Sequence, residues 1–359
     1  MYFTLLILTI VIYAKWAQLE KRKGKEFIKF FMPIFILLFF TFAFQNGVGT
    51  DYESYLASAN NDPIGQFKLN QFFIDKEYFF SICVWIAQKT SYPQFLFIIV
   101  SLLQNIIFGF SLYELRKNRE SIFLFLILYF TLSLCFFNQF NGIRQFISIN
   151  LVFLAVLKLF NNSKTTSFIL VLTAPFFHKS SWLFVVLFII YIMFEKKMVF
   201  RIEKKYIGII SLLCMTIYFI DINGFINFLL TRTGIYTEYI GSNYVQKMSF
   251  SEILTKIAKL LVVYYSLYKL DEAFLSKFEK KLLVISIISI QILILSFSTT
   301  LIWRLYLYFD LFLIFPTLFH FKYNATHKEK YLIIFYLVAI LLIKILIIPQ
   351  GEYLYKCII

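Results

Sequence analysis

Apolar runs follow one another along nearly the whole chain, and short clusters of Lys and Arg separate them. That alternation constrains the fold more than any other feature. Inside a bilayer every backbone N–H and C=O must be satisfied within the protein, so long apolar runs commit the chain to helices. A straight span needs roughly 20 apolar residues. The composition agrees: 60% of residues are hydrophobic and 15% charged, whereas a soluble domain is nearer half and a quarter. The expected fold is all-α, a polytopic membrane bundle forming one transmembrane domain over residues 1–359. It should carry about 12 spans, within roughly 10 to 13, because several runs are near the minimum length. The first run, MYFTLLILTIVIYAKW, has no basic residue before it and no cleavage site after it, so it reads as an uncleaved first helix.

The basic clusters set the orientation, since cytoplasmic loops are enriched in Lys and Arg. Lys15 to Lys25 is the densest early cluster and is assigned to the cytoplasm. The loop 46–76 then lies outside, as does 226–251 later in the chain. Residues 77–90 pose a parity problem. Counting this short apolar segment as a full span would put the basic loop ELRKNRES outside. The segment is therefore expected to lie at the interface or to re-enter the membrane.

A net charge of +15 on a soluble chain would suggest nucleic acid. Here the cations sit between apolar runs, with no basic groove and interleaved stacking residues, so nucleic-acid binding is excluded. Cys83, Cys135, Cys214 and Cys357 form no CxxC pair and read as packing thiols. No HExxH, Walker or metal-ligand cluster occurs, so no metal, cofactor or nucleotide is expected. His320 and His327 lie in or near the last basic loop and are given no role.

The loop charges bring the unusual polar residues to the outer side. In FNGIRQFISIN, the residues Asn141, Arg144 or Gln145, and Ser148 recur at three- and four-residue spacing. They share one helix face, which should look into the bundle or a wet cavity. Arg144 either snorkels to headgroups or clamps phosphate through paired N–H donors. His178 follows Pro175 and is either interfacial or a general base or phosphate ligand. Arg304, with Tyr308 one turn further on, binds a ligand or an acid on another helix. The first outer loop opens NGVGTDYESYL, with Asp51, Tyr52, Glu53 and Tyr55 beside two glycines. Acids with Tyr rings suit a sugar site, although a solvated loop capping a helix accounts for the same residues. The second outer loop repeats this chemistry with Arg232, Tyr236, Glu238, Tyr239 and Tyr244. Together these groups fit an anionic lipid head joined to a sugar.

GTDYESY at 49–55, FNGIRQFISI at 140–149 and APFFHKSS at 174–181, with WRLYLYF at 303–309 as a weaker match, resemble the EpsG family of exopolysaccharide proteins, related to the Wzy-type polymerases of O-antigen and capsule. The resemblance spans roughly residues 40–310. It implies a metal-independent glycosyltransferase of the bacterial cytoplasmic membrane, joining undecaprenyl-pyrophosphate-linked repeat units at the outer face. Membrane lipid, a chain-length regulator and a flippase are its implied partners. On this reading Arg144 and Arg304 bind the pyrophosphate, and Gln145, Tyr52, Tyr55, Tyr308 and Arg232 line the substrate site. His178 or Asp51 takes the proton of the acceptor hydroxyl. Two rivals use similar groups: a flippase of lipid-linked glycan, and a membrane acyltransferase that modifies a polysaccharide.

Overall fold

The structure, a computed structural model, describes residues 2–61, 76–133, 135–195, 204–220, 223–233, 246–346 and 355–356. All regular structure among these residues is helical. Among the described residues, five helices are long and apolar enough to cross a membrane: Gly24–Ala43, Phe95–Lys117, Ile143–Phe160, Lys277–Ser298 and Thr300–Tyr323. Shorter apolar helices accompany them at Tyr2–Ala17, Ile122–Ser133, Lys179–Phe194 and Tyr206–Phe219. The chain is thus an all-α protein embedded in a membrane. It divides into two compact units, Met1–Met198 with Leu341–Ile359, and Val199–Ile340.

The first unit contains α1 (Tyr2–Ala17), α2 (Gly24–Ala43), α3 (Tyr52–Ala59), α4 (Tyr78–Thr90), α5 (Phe95–Lys117), α6 (Ile122–Leu128), α7 (Cys135–Asn138), α8 (Ile143–Phe160), α9 (Lys164–Thr173) and α10 (Trp182–Phe194). Its centre is α8, which packs on α5 and α9. Only Arg144, Val156 and Lys158 of α8 escape full burial. The polar face read from the sequence therefore looks inward, as the cost of polar groups in lipid demands. A π-helical turn, Tyr129–Ser133, joins α6 towards α7.

The two ends of this unit differ in chemistry. At one end Arg116 donates to the Leu19 carbonyl at 3.2 Å, and the buried Glu114 carboxylate takes Lys158 Nζ and Asn161 Nδ2 at 2.6 Å each. The basic loops after α1, α5 and α8 thus gather together. At the other end, Gln94 bonds the carbonyls of Ala43 and Gln45 at 2.7 and 3.0 Å. The Asn46 N–H donates there to the Lys356 carbonyl. The helix α4 starts and finishes at this second end: Glu77, just before it, reaches Arg144, and Gln94 follows shortly after it. Its 13 residues make a rod of roughly 20 Å, short of the ~30 Å hydrocarbon core. The segment 77–90 does not cross the unit, and the parity of the basic loops holds.

The second unit contains α11 (Lys204–Thr216), α12 (Asn223–Thr233), α13 (Phe250–Lys269), α14 (Lys277–Leu295), α15 (Thr300–Asp310) and α16 (Phe315–Tyr323). A further helix, α17 (His327–Leu346), carries the chain towards Leu341, where the first unit resumes. Ser249 and Ser276 open α13 and α14 with capping boxes closed by Glu252 and Glu279, each satisfying two end donors. A 3-10 turn, Leu311–Ile314, interrupts the α15–α16 span, and Ser286 bonds the Phe312 carbonyl there at 2.7 Å.

His320 corrects the sequence reading. It is not a loop residue but lies in α16, 1% exposed, edge-on to the Tyr265 ring at 5.8 Å. The basic residues around it drew the loop boundary too early, since Lys322 is drawn into an ion pair with Glu279 at 2.8 Å. Much of the loop 46–76, from residue 62 to 75, lies outside the described residues. So do Tyr236, Glu238, Tyr239 and Tyr244 of the loop 226–251.

Candidate functional site

The polar face of α8 acts as a binding post for three separate segments. Asn141, just before the helix, accepts the Thr50 N–H at 2.7 Å and the Thr50 hydroxyl at 3.3 Å. Arg144 reaches Glu77 at 2.5 Å. Ser148 donates to the Ala174 carbonyl at 2.7 Å. The three blocks 49–55, 140–149 and 174–181 are thereby brought to one place, together with Glu77, which lies outside all three.

Gly49 makes the first junction possible. Its φ is +85°, and a Cβ there would sit 2.4 Å from Asn141 Oδ1 and 3.0 Å from the Phe140 carbonyl oxygen. Only glycine combines that backbone with that approach. The chain then enters α3, where Tyr52 and Tyr55 are each 2% exposed. Tyr52 donates to Gln94 at 3.2 Å and stacks on Phe97 at 4.8 Å, which ties the α3 segment to α5. Burial and the nearby Glu53 push its hydroxyl up to about 12.

The third junction fixes His178. The Ala174 carbonyl held by Ser148 also accepts the N–H groups of Phe177 and His178. His178 then adopts extended backbone, φ −154° and ψ 120°, between two 3-10 turns. The Ser181 hydroxyl donates to its carbonyl at 2.9 Å. Pro175 breaks the helix and sets up this excursion. The imidazole is directed to Glu77: Nδ1 lies 2.9 Å from Oε1, and the Lys179 N–H donates to the same oxygen at 2.9 Å.

Glu77 is the hub. Its side chain has no exposed surface, while Arg144 and His178 retain 15% and 13%. Burial alone would raise its pKa. The His178 hydrogen bond, the charges of Arg144 and His178 and the Lys179 N–H together outweigh burial and hold it at about 2. Glu77 is therefore ionised at neutral pH and can only accept. That fixes the neighbouring ring: Nδ1 carries the proton facing Glu77, so in the neutral imidazole Nε2 holds the lone pair. Arg144 also donates to Tyr55, whose hydroxyl burial raises and Arg144 lowers, with Asp51 and Glu77 acting on it too. Asp51 is the first residue outside α3. Its side chain does not cap the helix, and Thr50 bonds it at 3.4 Å.

Of the sequence candidates, Arg144, Gln145, His178, Asp51, Tyr52 and Tyr55 lie in the first unit. Gln145 is buried, with 8% of its surface exposed. Arg304, Tyr308 and Arg232 lie in the second unit: Arg304 is partly buried on α15, Tyr308 is 0% exposed, and Arg232 is exposed on α12. Glu77 was missed. It reads as the polar edge of a short apolar segment, and the available signal was the parity problem itself. An acid beside a helix that does not span stays at the end of the bundle where Arg144 and His178 lie.

The fold and this site define a polytopic α-helical membrane protein with a buried Arg–Glu–His constellation at one end of a bundle. The EpsG family model matches residues 28–357, and the chain belongs to the EpsG family. It is thus a polymerase-like protein of polysaccharide biosynthesis, with a glycosyltransferase-like role. No curated protein and no solved structure matches the chain.

Proposed function

We propose that the protein joins lipid-linked oligosaccharide repeat units, and that the Arg144–Glu77–His178 site carries the transfer at the outer face of the cytoplasmic membrane. The donor is a growing glycan on undecaprenyl pyrophosphate, and the acceptor is a hydroxyl of the next lipid-linked unit. The acceptor oxygen attacks the anomeric carbon, and the bond from that carbon to the pyrophosphate oxygen breaks. The pyrophosphate leaves with the electron pair, and the hydroxyl proton passes to His178 Nε2.

The observation that carries this reading is the contact between His178 Nδ1 and the buried Glu77 carboxylate at 2.9 Å. A carboxylate that fixes the tautomer and steadies the imidazolium is what a general base needs. It favours His178 over Asp51 as the base. Asp51 then binds sugar hydroxyls beside Tyr55. Arg144 has five N–H donors and can hold Glu77 and a phosphate together. Its charge offsets the negative charge that grows on the leaving group. Tyr52 supports this wall by packing.

A strain lacking the gene should carry single repeat units in place of long chains. Complementation with His178→Gln at normal protein level should leave that defect. Restoration of long chains by His178→Gln would remove His178 as the base.

A further inference from the structure

Two acceptors of different kinds hold Arg144. Glu77 takes Nη1 at 2.5 Å. The other is the hydroxyl of Tyr55, a residue that the family resemblance puts in the substrate site. Its surroundings leave no face for a sugar. Tyr55 closes the first turn of α3, donating its N–H to the Asp51 carbonyl at 3.1 Å, and is 2% exposed. Its ring meets Phe80 edge-on at 6.0 Å. Phe80 has no exposed surface and stands three residues after Glu77. The opening of α4 thus supplies both the carboxylate that binds Arg144 and the ring that seats the phenol beside it.

The two acceptors act differently. Glu77 binds Arg144 through charge, but it also serves His178 and the Lys179 N–H. One contact at Nη1 leaves a guanidinium free to swing about it. Tyr55 supplies a second point. Burial, helped by Asp51 and Glu77, outweighs Arg144 and keeps the phenol's pKa above its ordinary value, so it is neutral at neutral pH. Its oxygen therefore fixes the guanidinium plane without adding a negative charge where an anion is to bind. Arg serves phosphate through paired N–H groups in a rigid fork, which must be aimed to be useful. The 15% of the Arg144 side chain that stays exposed is then presented in one orientation.

We infer that Tyr55 is a positioning residue: its hydroxyl locks the guanidinium of Arg144 in the orientation that meets the leaving phosphate. The inference rests on the polymerase reading for what Arg144 binds, and on the contacts of Tyr55 for how Arg144 is held.

The test uses full-length protein in two measurements on Tyr55→Phe, which keeps the ring on Phe80 and removes only the hydroxyl. Tyr55→Met, also without a hydroxyl, replaces it should that variant fail to fold. The first measurement is the 15N spectrum of the arginine side chains in bilayers, with Arg144 assigned by its loss in Arg144→Lys. A locked guanidinium gives separate Nη signals, and these should merge in Tyr55→Phe. The second is turnover of defined undecaprenyl-pyrophosphate-linked repeat units. Here kcat should fall about tenfold, a loss of roughly 1.4 kcal/mol, while KM changes little, as expected for an interaction made only in the transition state. Separate Nη signals in folded Tyr55→Phe overturn the lock. Merged signals with full turnover overturn its role in the reaction. A raised KM with unchanged kcat also overturns it, since the hydroxyl then binds substrate directly. Wild-type protein that never elongates a glycan contradicts the polymerase reading instead, and the spectrum still reports the lock.

Discussion

Glu77 and Arg144 meet at 2.5 Å across 67 residues of sequence, and the carboxylate has no exposed surface. A buried pair of this kind is held in place by everything around it. The same carboxylate takes His178 Nδ1 and the Lys179 N–H. The arrangement thus couples the anchoring of three chain segments to the orientation of two reactive side chains.

Removing one partner leaves a buried charge uncompensated, which typically costs about 3–5 kcal/mol. Glu77→Gln should therefore lower the unfolding temperature of the purified protein markedly. Glu77→Leu combined with Arg144→Met should recover much of that stability, since an apolar pair of similar volume avoids the desolvation cost. The double variant should still make no polymer, because it lacks both the phosphate cation and the group that orients His178. Thermal unfolding and glycan chain length, measured on the same variants, separate the two roles.

The depressed pKa of Glu77 gives a pH signature. Its folded value is about 2 against an ordinary 4.5. The carboxylate's contribution is fully present above about 4.5 and is lost as pH falls towards 2. That contribution is on the order of 3 kcal/mol. Stability should be level in this respect from pH 8 to pH 5 and decline below. In Glu77→Gln the decline over that acid window should be shallower, as a pH series of unfolding temperatures will reveal.

Gly49→Ala tests the junction of the first and second blocks. The added methyl collides with Asn141 Oδ1 and requires an L-residue at φ +85°. The cost should be on the order of 1–3 kcal/mol. Asn141→Ala loses the bonds to Thr50 but relieves the collision. Added to Gly49→Ala it should therefore destabilise by less than the sum of the two single changes.

His178→Gln should reduce turnover by about 10²–10⁴-fold, the usual worth of a general base. Binding of undecaprenyl phosphate should change little, because the residue faces the hydroxyl that loses its proton. Single-turnover rates at saturating donor give this directly.

Much of this architecture is legible in the sequence, for identifiable reasons. Apolar runs and basic clusters report the helices and the two ends of the first unit, because lipid tolerates neither stray charge nor unpaired backbone. The three- and four-residue spacing of Asn141, Arg144 and Ser148 reports the inward face of α8. Glu77 is not legible in that way. Its partners are 67 and 101 residues distant, and no periodicity links them. Tyr52 misleads for a related reason. An aromatic in a polar loop looks like a sugar platform, but its partner is the buried Gln94 on the neighbouring segment. The burial of His320 is hidden by the cations that follow it.

The central claim is that the Arg144–Glu77–His178 site performs glycosyl transfer between lipid-linked units. Polymerisation by purified protein, supplied only with defined undecaprenyl-pyrophosphate-linked repeat units, tests it most directly. Wild-type protein should yield a ladder of lengthened glycans with release of undecaprenyl pyrophosphate. Arg144→Ala, folded and at equal concentration, should yield neither. A normal ladder from Arg144→Ala, or none from folded wild-type protein with the cognate unit, would contradict the account.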